Sequence, residues 1–403
     1  MLGINAKITI TIIAIPVVAY SLHRLFQHPK STLSDRDSVV NLDPGEEFQG
    51  MFDNVRFVTF YERLELQDIL DKTQAVLNAN PWLASIYRKV NGKLQLHYNR
   101  VNKASDYVRY IESDIKVSEG TVELLLRYCR LPKGCNSVNK DIPLFEVIVV
   151  KLKDKTALIF DMSHIVGDAQ TLYMIYRMYD SNSHPYSMQI ERVNIKDKLN
   201  NFSKEVPNMM LLVYNSLFPT TNKTRTFKVL KDRMEAEKIL QKTADTEFLS
   251  TNDILTSWAF NASKCDIGVM PINLRGRVAG VHDSLAGNYV HGIFYSKNDF
   301  QTPQNIRGSL PRKDGIYQRM GDRPLPQSLW EVFTTKVGSV TNWVAPQRDV
   351  VINGNISVFH APLLNPTIPM TGHFTIYKSN NEIYIRCCSK YLEEIPHYLS
   401  ELQ

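Results

Sequence analysis

Two runs of β-forming residues, 144–152 and 156–162, are separated only by the short polar loop Lys153-Asp-Lys155. A loop that short suits antiparallel neighbours, so the two runs are expected to form a hairpin. The second strand runs into Asp161-Met-Ser-His-Ile-Val-Gly-Asp-Ala169, after which AQTLYMIYRMYD places Leu172, Ile175, Tyr176 and Tyr179 on one helical stripe. An earlier helix is expected over residues 66–80, where Leu66, Ile69, Leu70, Thr73, Val76 and Leu77 recur at three- and four-residue spacing until Asn80-Pro81 stops the pattern. Residues 122–128 read as a further strand. The first half of the chain therefore mixes sheet and helix, and the expected fold class is α/β with mixed sheets.

At 403 residues the chain is too long for one compact core and short for three, so one bilobal unit or two domains is expected. Hydrophobic residues at 43% and charged residues at 22% give enough apolar mass for a packed interior. The net charge of +6 is not clustered as a nucleic-acid binder's would be, so no nucleic-acid partner is expected. Five cysteines, including the adjacent Cys387 and Cys388, fit neither a disulfide framework nor a zinc site and favour a reducing compartment. The organisation read from the chain is an appendage over 1–30, a first lobe over 31–185, a crossover over 186–225 and a second lobe over 226–403. The polar stretch 301–326 reads as a surface loop with one short helix.

Residues 8–22 carry no charge, with Lys7 before them and His23 and Arg24 after them. Pro16 interrupts the run, which is shorter than the roughly 20 residues of a spanning helix. A membrane anchor, a signal peptide cut near Ala19-Tyr-Ser21, and a strand built on the alternation of Ile8, Ile10 and Ile12 are the three readings. The expectation is membrane association through 8–22 with the body facing a reducing compartment, or a cytoplasmic protein.

His164 closes a strand and Asp168 follows four residues later. A general base needs a rigid support, one ring nitrogen free for the reacting proton and the other held by a hydrogen bond; a strand-to-turn junction offers that placement. Asp168 either orients the ring, as in a triad, or clamps the turn by pairing with a distant Arg. A metal pair would need further ligands, and none lies at a recognisable spacing, so no metal is expected. Ser163 lacks the flanking glycines of a nucleophile elbow.

In His164-Ile-Val-Gly-Asp168 the chain resembles the chloramphenicol acetyltransferase-like acyl-CoA-dependent acyltransferases, closest to the BAHD-type branch and its neighbours, the wax-ester synthases and peptide condensation domains. Their shared signature is His-x-x-x-Asp, usually followed by Gly, where this chain has Ala169. Other segments follow in the order of that superfamily: Leu33-Ser-Asp-Arg-Asp37, Asn80-Pro-Trp-Leu-Ala84, Leu249-Ser-Thr-Asn-Asp253, Pro271-Ile-Asn-Leu-Arg275, Gly287-Asn288 and Val340-Thr-Asn-Trp343. The Asp-Phe-Gly-Trp-Gly segment of the plant branch is missing; Asn353-Gly-Asn-Ile-Ser357 and His360-Ala-Pro362 stand in that third of the chain.

The resemblance implies two similar lobes with an active-site channel between them and His164 at its middle. It implies transfer of an acyl group from acyl-CoA, a co-substrate and not a bound cofactor, to the hydroxyl or amine of a small-molecule acceptor through a ternary complex; a lipophilic alcohol is favoured if residues 8–22 are an anchor, and a monomer is expected. Asp168 becomes the structural partner of Arg275, supported by Asn273 and Asn288, while Thr341, Asn342 and Trp343 line the channel. Ser250 to Asp253 have a sufficient explanation as helix caps. The alternatives are a catalytically silent binding protein on the same scaffold and a condensation-type enzyme that takes its acyl group from a carrier.

Overall fold

The computed structural model describes residues 36–402, apart from 43, 119, 194, 196–206, 209, 218–219, 311–316, 318, 322, 369 and 393. The apolar run 8–22 and much of the crossover lie outside the described residues. Among the described residues no helix is long and apolar enough to cross a membrane, and all five cysteines are unpaired.

Seventeen strands are seen among the described residues. Strands β1 (Ser38–Asn41), β3 (Ile86–Val90) and β4 (Lys93–Tyr98) make a small antiparallel sheet in the order β1-β4-β3. The first large sheet has the order β13-β2-β7-β6-β5, from β2 (Val55–Tyr61), β5 (Val108–Glu112), β6 (Phe145–Lys151), β7 (Thr156–Met162) and β13 (Ser357–Pro362). The β6–β7 hairpin is antiparallel, and β5 joins β6 in parallel. Strand β13, from the C-terminal half, pairs antiparallel with β2, so the second half of the chain completes the first sheet. Both β2 and β7 are buried along their whole length. Helices α2 (Leu66–Ala79) and α4 (Ala169–Arg177) contribute Ile69, Val76, Leu172 and Ile175 to the core of this lobe. The short helix α1 (Pro44–Gln49) precedes β2.

The second large sheet has seven strands in the order β11-β10-β12-β15-β16-β9-β17. They are β9 (Lys223–Val229), β10 (Ile267–Asn273), β11 (Val290–Ser296), β12 (Val337–Asn342), β15 (Gly372–Ser379), β16 (Glu382–Ser389) and β17 (Leu399–Glu401). β12 lies parallel to β10 and β15, and the other pairings are antiparallel. Short strands β8 (Thr220–Thr221) and β14 (Thr367–Ile368) pair with each other. Beyond α3 (Thr121–Leu125), the remaining helices are α5 (Met210–Leu217), α6 (Lys231–Leu240), α7 (Thr251–Ala262), α8 (Lys297–Phe300), α9 (Pro303–Ser309) and α10 (Leu329–Thr334).

Side chains alternate across a sheet, and here the alternation separates two environments. Val340, Phe374, Ile376 and Ile385 face α7 and pack with its Ile254, Leu255 and Phe260. On the opposite face Tyr377 and Tyr384 join the core of the first lobe, and Arg386 donates from Nη2 to Glu123 Oε1 of α3 at 2.6 Å. The interior between the lobes is therefore lined by the second face of this sheet.

Residues 122–128 are helical and not a strand: α3 is followed by a 3-10 turn, Leu126–Tyr128. Thr121, Val122 and Leu125 are the buried positions and Glu123 and Leu124 are exposed, a helical spacing. The β-forming residue types over 122–128 were outweighed by that burial pattern.

Candidate active site

The β6–β7 hairpin delivers its second strand to the interior, and the chain turns immediately after Met162. His164 stands half-buried in that turn. Asp168 then caps α4, its Oδ1 accepting from Thr171 N at 2.9 Å. Ala169 is the first residue of the helix and has no positive φ, so no glycine is required where the superfamily signature has one.

Asp168 is 2% exposed, and each of its oxygens is occupied. Oδ2 accepts from Arg275 Nη1 at 2.8 Å and from Tyr289 N at 3.0 Å; Oδ1 also accepts from Thr171 Oγ1 at 3.1 Å. Burial alone raises the pKa of this carboxyl, but the Arg275 charge and these hydrogen bonds outweigh it and hold the group below the usual carboxylate range. Arg275 completes its fork on Leu285 O at 3.0 Å, Gly287 O at 3.0 Å and Thr171 Oγ1 at 3.0 Å. Asn273 Oδ1 accepts from Arg275 N and Nη1 at 3.1 and 3.2 Å. The pair ties the start of α4, in the first lobe, to the turn before β11, in the second. The hydrogen bonds of the Asp168 carboxylate go to these partners and not to the imidazole.

The ring is held by Asn288 instead. Asn288 Nδ2 donates to His164 O at 2.7 Å, which directs Oδ1 toward the ring; Oδ1 then accepts from Nδ1–H at 3.0 Å. That network assigns the proton to Nδ1 and leaves Nε2 with its lone pair. Burial lowers the pKa of the imidazole, only partly opposed by hydrogen bonding at its own carbonyl, the Asp168 charge and Asn288, so the ring is neutral near pH 7. Asn288 is positioned by Gly287, whose φ is +130°. A Cβ there would stand 2.6 Å from Arg192 Nη1. Arg192 donates to Glu46 Oε2 of α1 and to Ala286 O, both at 2.9 Å, so it joins α1 to the same turn.

The remaining sequence-stretch candidates divide. Thr341 shares a sheet face with Val337 and Ser339, away from the α7 core that contains Val340. Asn342 is exposed and donates from Nδ2 to Asn252 Oδ1 on α7 at 2.8 Å, so its side chain lies on the other side of the sheet. Trp343 is 9% exposed and stands edge-on to Tyr173 of α4 at 5.9 Å. Ser250 and Asp253 form a capping box at the start of α7. His360 is fixed by Thr59 Oγ1 at 2.9 Å and Tyr173 OH at 2.8 Å. Burial pushes its pKa down to about 3.

Sequence reasoning missed Thr171, which bonds Asp168, Arg275 and Gly287 at once. The spacing Asp168-x-x-Thr171 at a helix start was the available signal. It also missed Phe52, whose ring centroid lies 6.1 Å from that of His164. Among the described residues no three His, Cys, Asp or Glu side chains gather as a metal site.

No family model and no curated protein sequence matches the chain. Solved structures do. F. graminearum TRI101 complexed with ethyl coenzyme A superposes with a TM-score of 0.63 at 11% identity, over 87% of this chain and 94% of that one. The first condensation domain of the CDA synthetase gives 0.58 at 10%, over 88% and 91%. Polyketide synthase associated protein 5 from Mycobacterium tuberculosis gives 0.53 at 12%, over 88% and 94%. The chain thus shares the two-lobed α/β fold of TRI101 and of the condensation domain.

Proposed function

We propose that the protein transfers an acyl group from a CoA thioester to the hydroxyl or amine of a small-molecule acceptor, with His164 as general base. The observation that carries this reading is the double hold of Asn288 on His164, which leaves a neutral imidazole with Nε2 unprotonated. Nε2 accepts the acceptor's proton as its oxygen or nitrogen attacks the thioester carbonyl. The tetrahedral intermediate collapses, and the proton passes from Nε2–H to the leaving thiolate. No covalent acyl-enzyme is formed and no metal takes part. The Thr341 hydroxyl, on the inter-lobe face, is the oxyanion donor in this scheme. Asp168, Arg275, Asn273 and Thr171 keep the turn and the Gly287-Asn288 segment in register.

The fold supports this reading because TRI101 has been captured with coenzyme A and deoxynivalenol. The condensation-type alternative shares the fold and differs in its donor. Incubating the full chain with acetyl-, butyryl- and octanoyl-CoA and a panel of alcohols and amines, with free thiol as readout, tests the proposal. Acceptor-dependent thiol release that survives chelation is expected. CoA binding without release from any combination would contradict it and favour the silent scaffold.

A further inference from the structure

Phe52 and Phe48 are only half-buried although both sit between the lobes. Phe48 lies on α1 of the first lobe and packs against an apolar cluster that joins Leu211 of α5 to Phe294 and Val337 of the second lobe. Phe52 meets Phe48 edge-on, ring centroids 5.1 Å apart, and presents its ring to His164 at 6.1 Å. Each of these phenylalanines packs on one side and leaves part of its ring accessible on the other, as a residue lining a ligand site does.

The face of the second sheet turned away from α7 has different chemistry. Ser339 and His373 occupy paired positions on β12 and β15, joined by a 2.6 Å hydrogen bond between Oγ and Nδ1. Both lie on the face opposite the α7 core, because Val340 and Phe374, their chain neighbours, belong to that core. His373 is half-exposed, and the Asp53 carboxylate, next to Phe52, acts electrostatically on both His373 and His164. One side of the space near His164 is thus aromatic and the other is polar.

Of the two substrates in the proposed reaction, on which this inference rests, the acceptor and the pantetheine arm carry hydrogen-bonding groups and the acyl chain does not. We propose that Phe52, backed by Phe48, is the end wall of the acyl pocket and restricts the donor to short acyl chains. With ring centroids 6.1 Å apart, an acyl chain held beside His164 meets the Phe52 ring, and a longer chain has to displace it. Behind Phe52 stands Phe48, packed on its apolar cluster, so shortening the Phe52 side chain opens room lined by apolar groups.

The test needs no acceptor. In the full chain carrying His164→Ala, which removes the proposed base, and with no acceptor present, dissociation constants for acetyl-, butyryl- and octanoyl-CoA are measured by calorimetry. Octanoyl-CoA is expected to bind at least tenfold more weakly than acetyl-CoA. Adding Phe52→Ala is expected to reverse that order, because each newly buried methylene contributes about 0.8 kcal/mol, close to fourfold in affinity. Phe52→Leu, which keeps an apolar side chain should the alanine variant misfold, is expected to give an intermediate ratio. An octanoyl-to-acetyl ratio unchanged by both substitutions, or octanoyl-CoA binding as tightly as acetyl-CoA with Phe52 in place, overturns the proposal. Failure of every acyl-CoA to bind is the distinct result that removes the acyltransferase reading itself.

Discussion

Asn288 holds His164 at both ends of the residue, donating to its carbonyl at 2.7 Å and accepting from Nδ1–H at 3.0 Å. The two bonds are mutually dependent, since an amide that gives its NH₂ to the carbonyl has only its oxygen left for the ring. One side chain from the second lobe therefore sets both the rotamer and the tautomer of a residue in the first.

Replacing Asn288 tests that control. Asn288→Ala frees the ring to rotate and is expected to lower kcat on the order of 10²-fold with little change in melting temperature. Asn288→Asp places a carboxylate at Nδ1, favours the imidazolium and raises the pKa of His164, which is low in the wild-type chain. The acid limb of kcat/KM is then expected to move to higher pH. A limb that stays in place would show that Asn288 does not govern the base.

The buried Asp168–Arg275 pair is expected to act on stability. Asp168→Asn leaves a guanidinium with 0% side-chain exposure short of its counter-charge, at a cost of about 3–5 kcal/mol. Arg275→Gln is expected to cost a similar amount, and the double variant less than the sum, as read by urea melts. The pH dependence has a definite sign. The folded pKa of Asp168 is depressed, so its contribution is complete above the unfolded value, roughly pH 4, and is lost as pH falls through the folded value. The gap between wild type and Asp168→Asn should be constant from pH 5 to 8 and close under more acid conditions.

Gly287→Ala is expected to destabilise the chain by about 1–3 kcal/mol, because φ +130° suits glycine alone. The new methyl also meets the Arg192 guanidinium, so Asn288 should shift and turnover should fall more than stability. Wild-type turnover with a lowered melting temperature would place the strain elsewhere.

The parts of the fold legible in the sequence were those fixed by near neighbours. The β6–β7 hairpin, α2 and α4 each follow from a local period and a stop signal, and His164 follows from the strand that ends beside it. Pairings across long sequence separations were not legible. Strand β13 reaches β2 from nearly 300 residues away, and β5 carries only a five-residue pattern. The candidate site shows the same division. Asp168 as a helix cap is local chemistry, whereas the Asn288 hold on His164 joins residues 124 apart and depends on both lobes being in place. The ordered segments suggested which residues belong together, but not that Asn342 turns toward α7 while Thr341 faces the first lobe.

The base assigned to His164 is tested most directly by comparing wild type with His164→Ala for thiol release from acetyl-CoA in the presence of an accepted alcohol or amine, after circular dichroism and CoA binding have shown both chains to be folded and loaded. The expected result is a fall in kcat of roughly 10²–10⁴ with unchanged CoA affinity. Turnover within twofold of wild type would contradict the assignment of His164 as the general base.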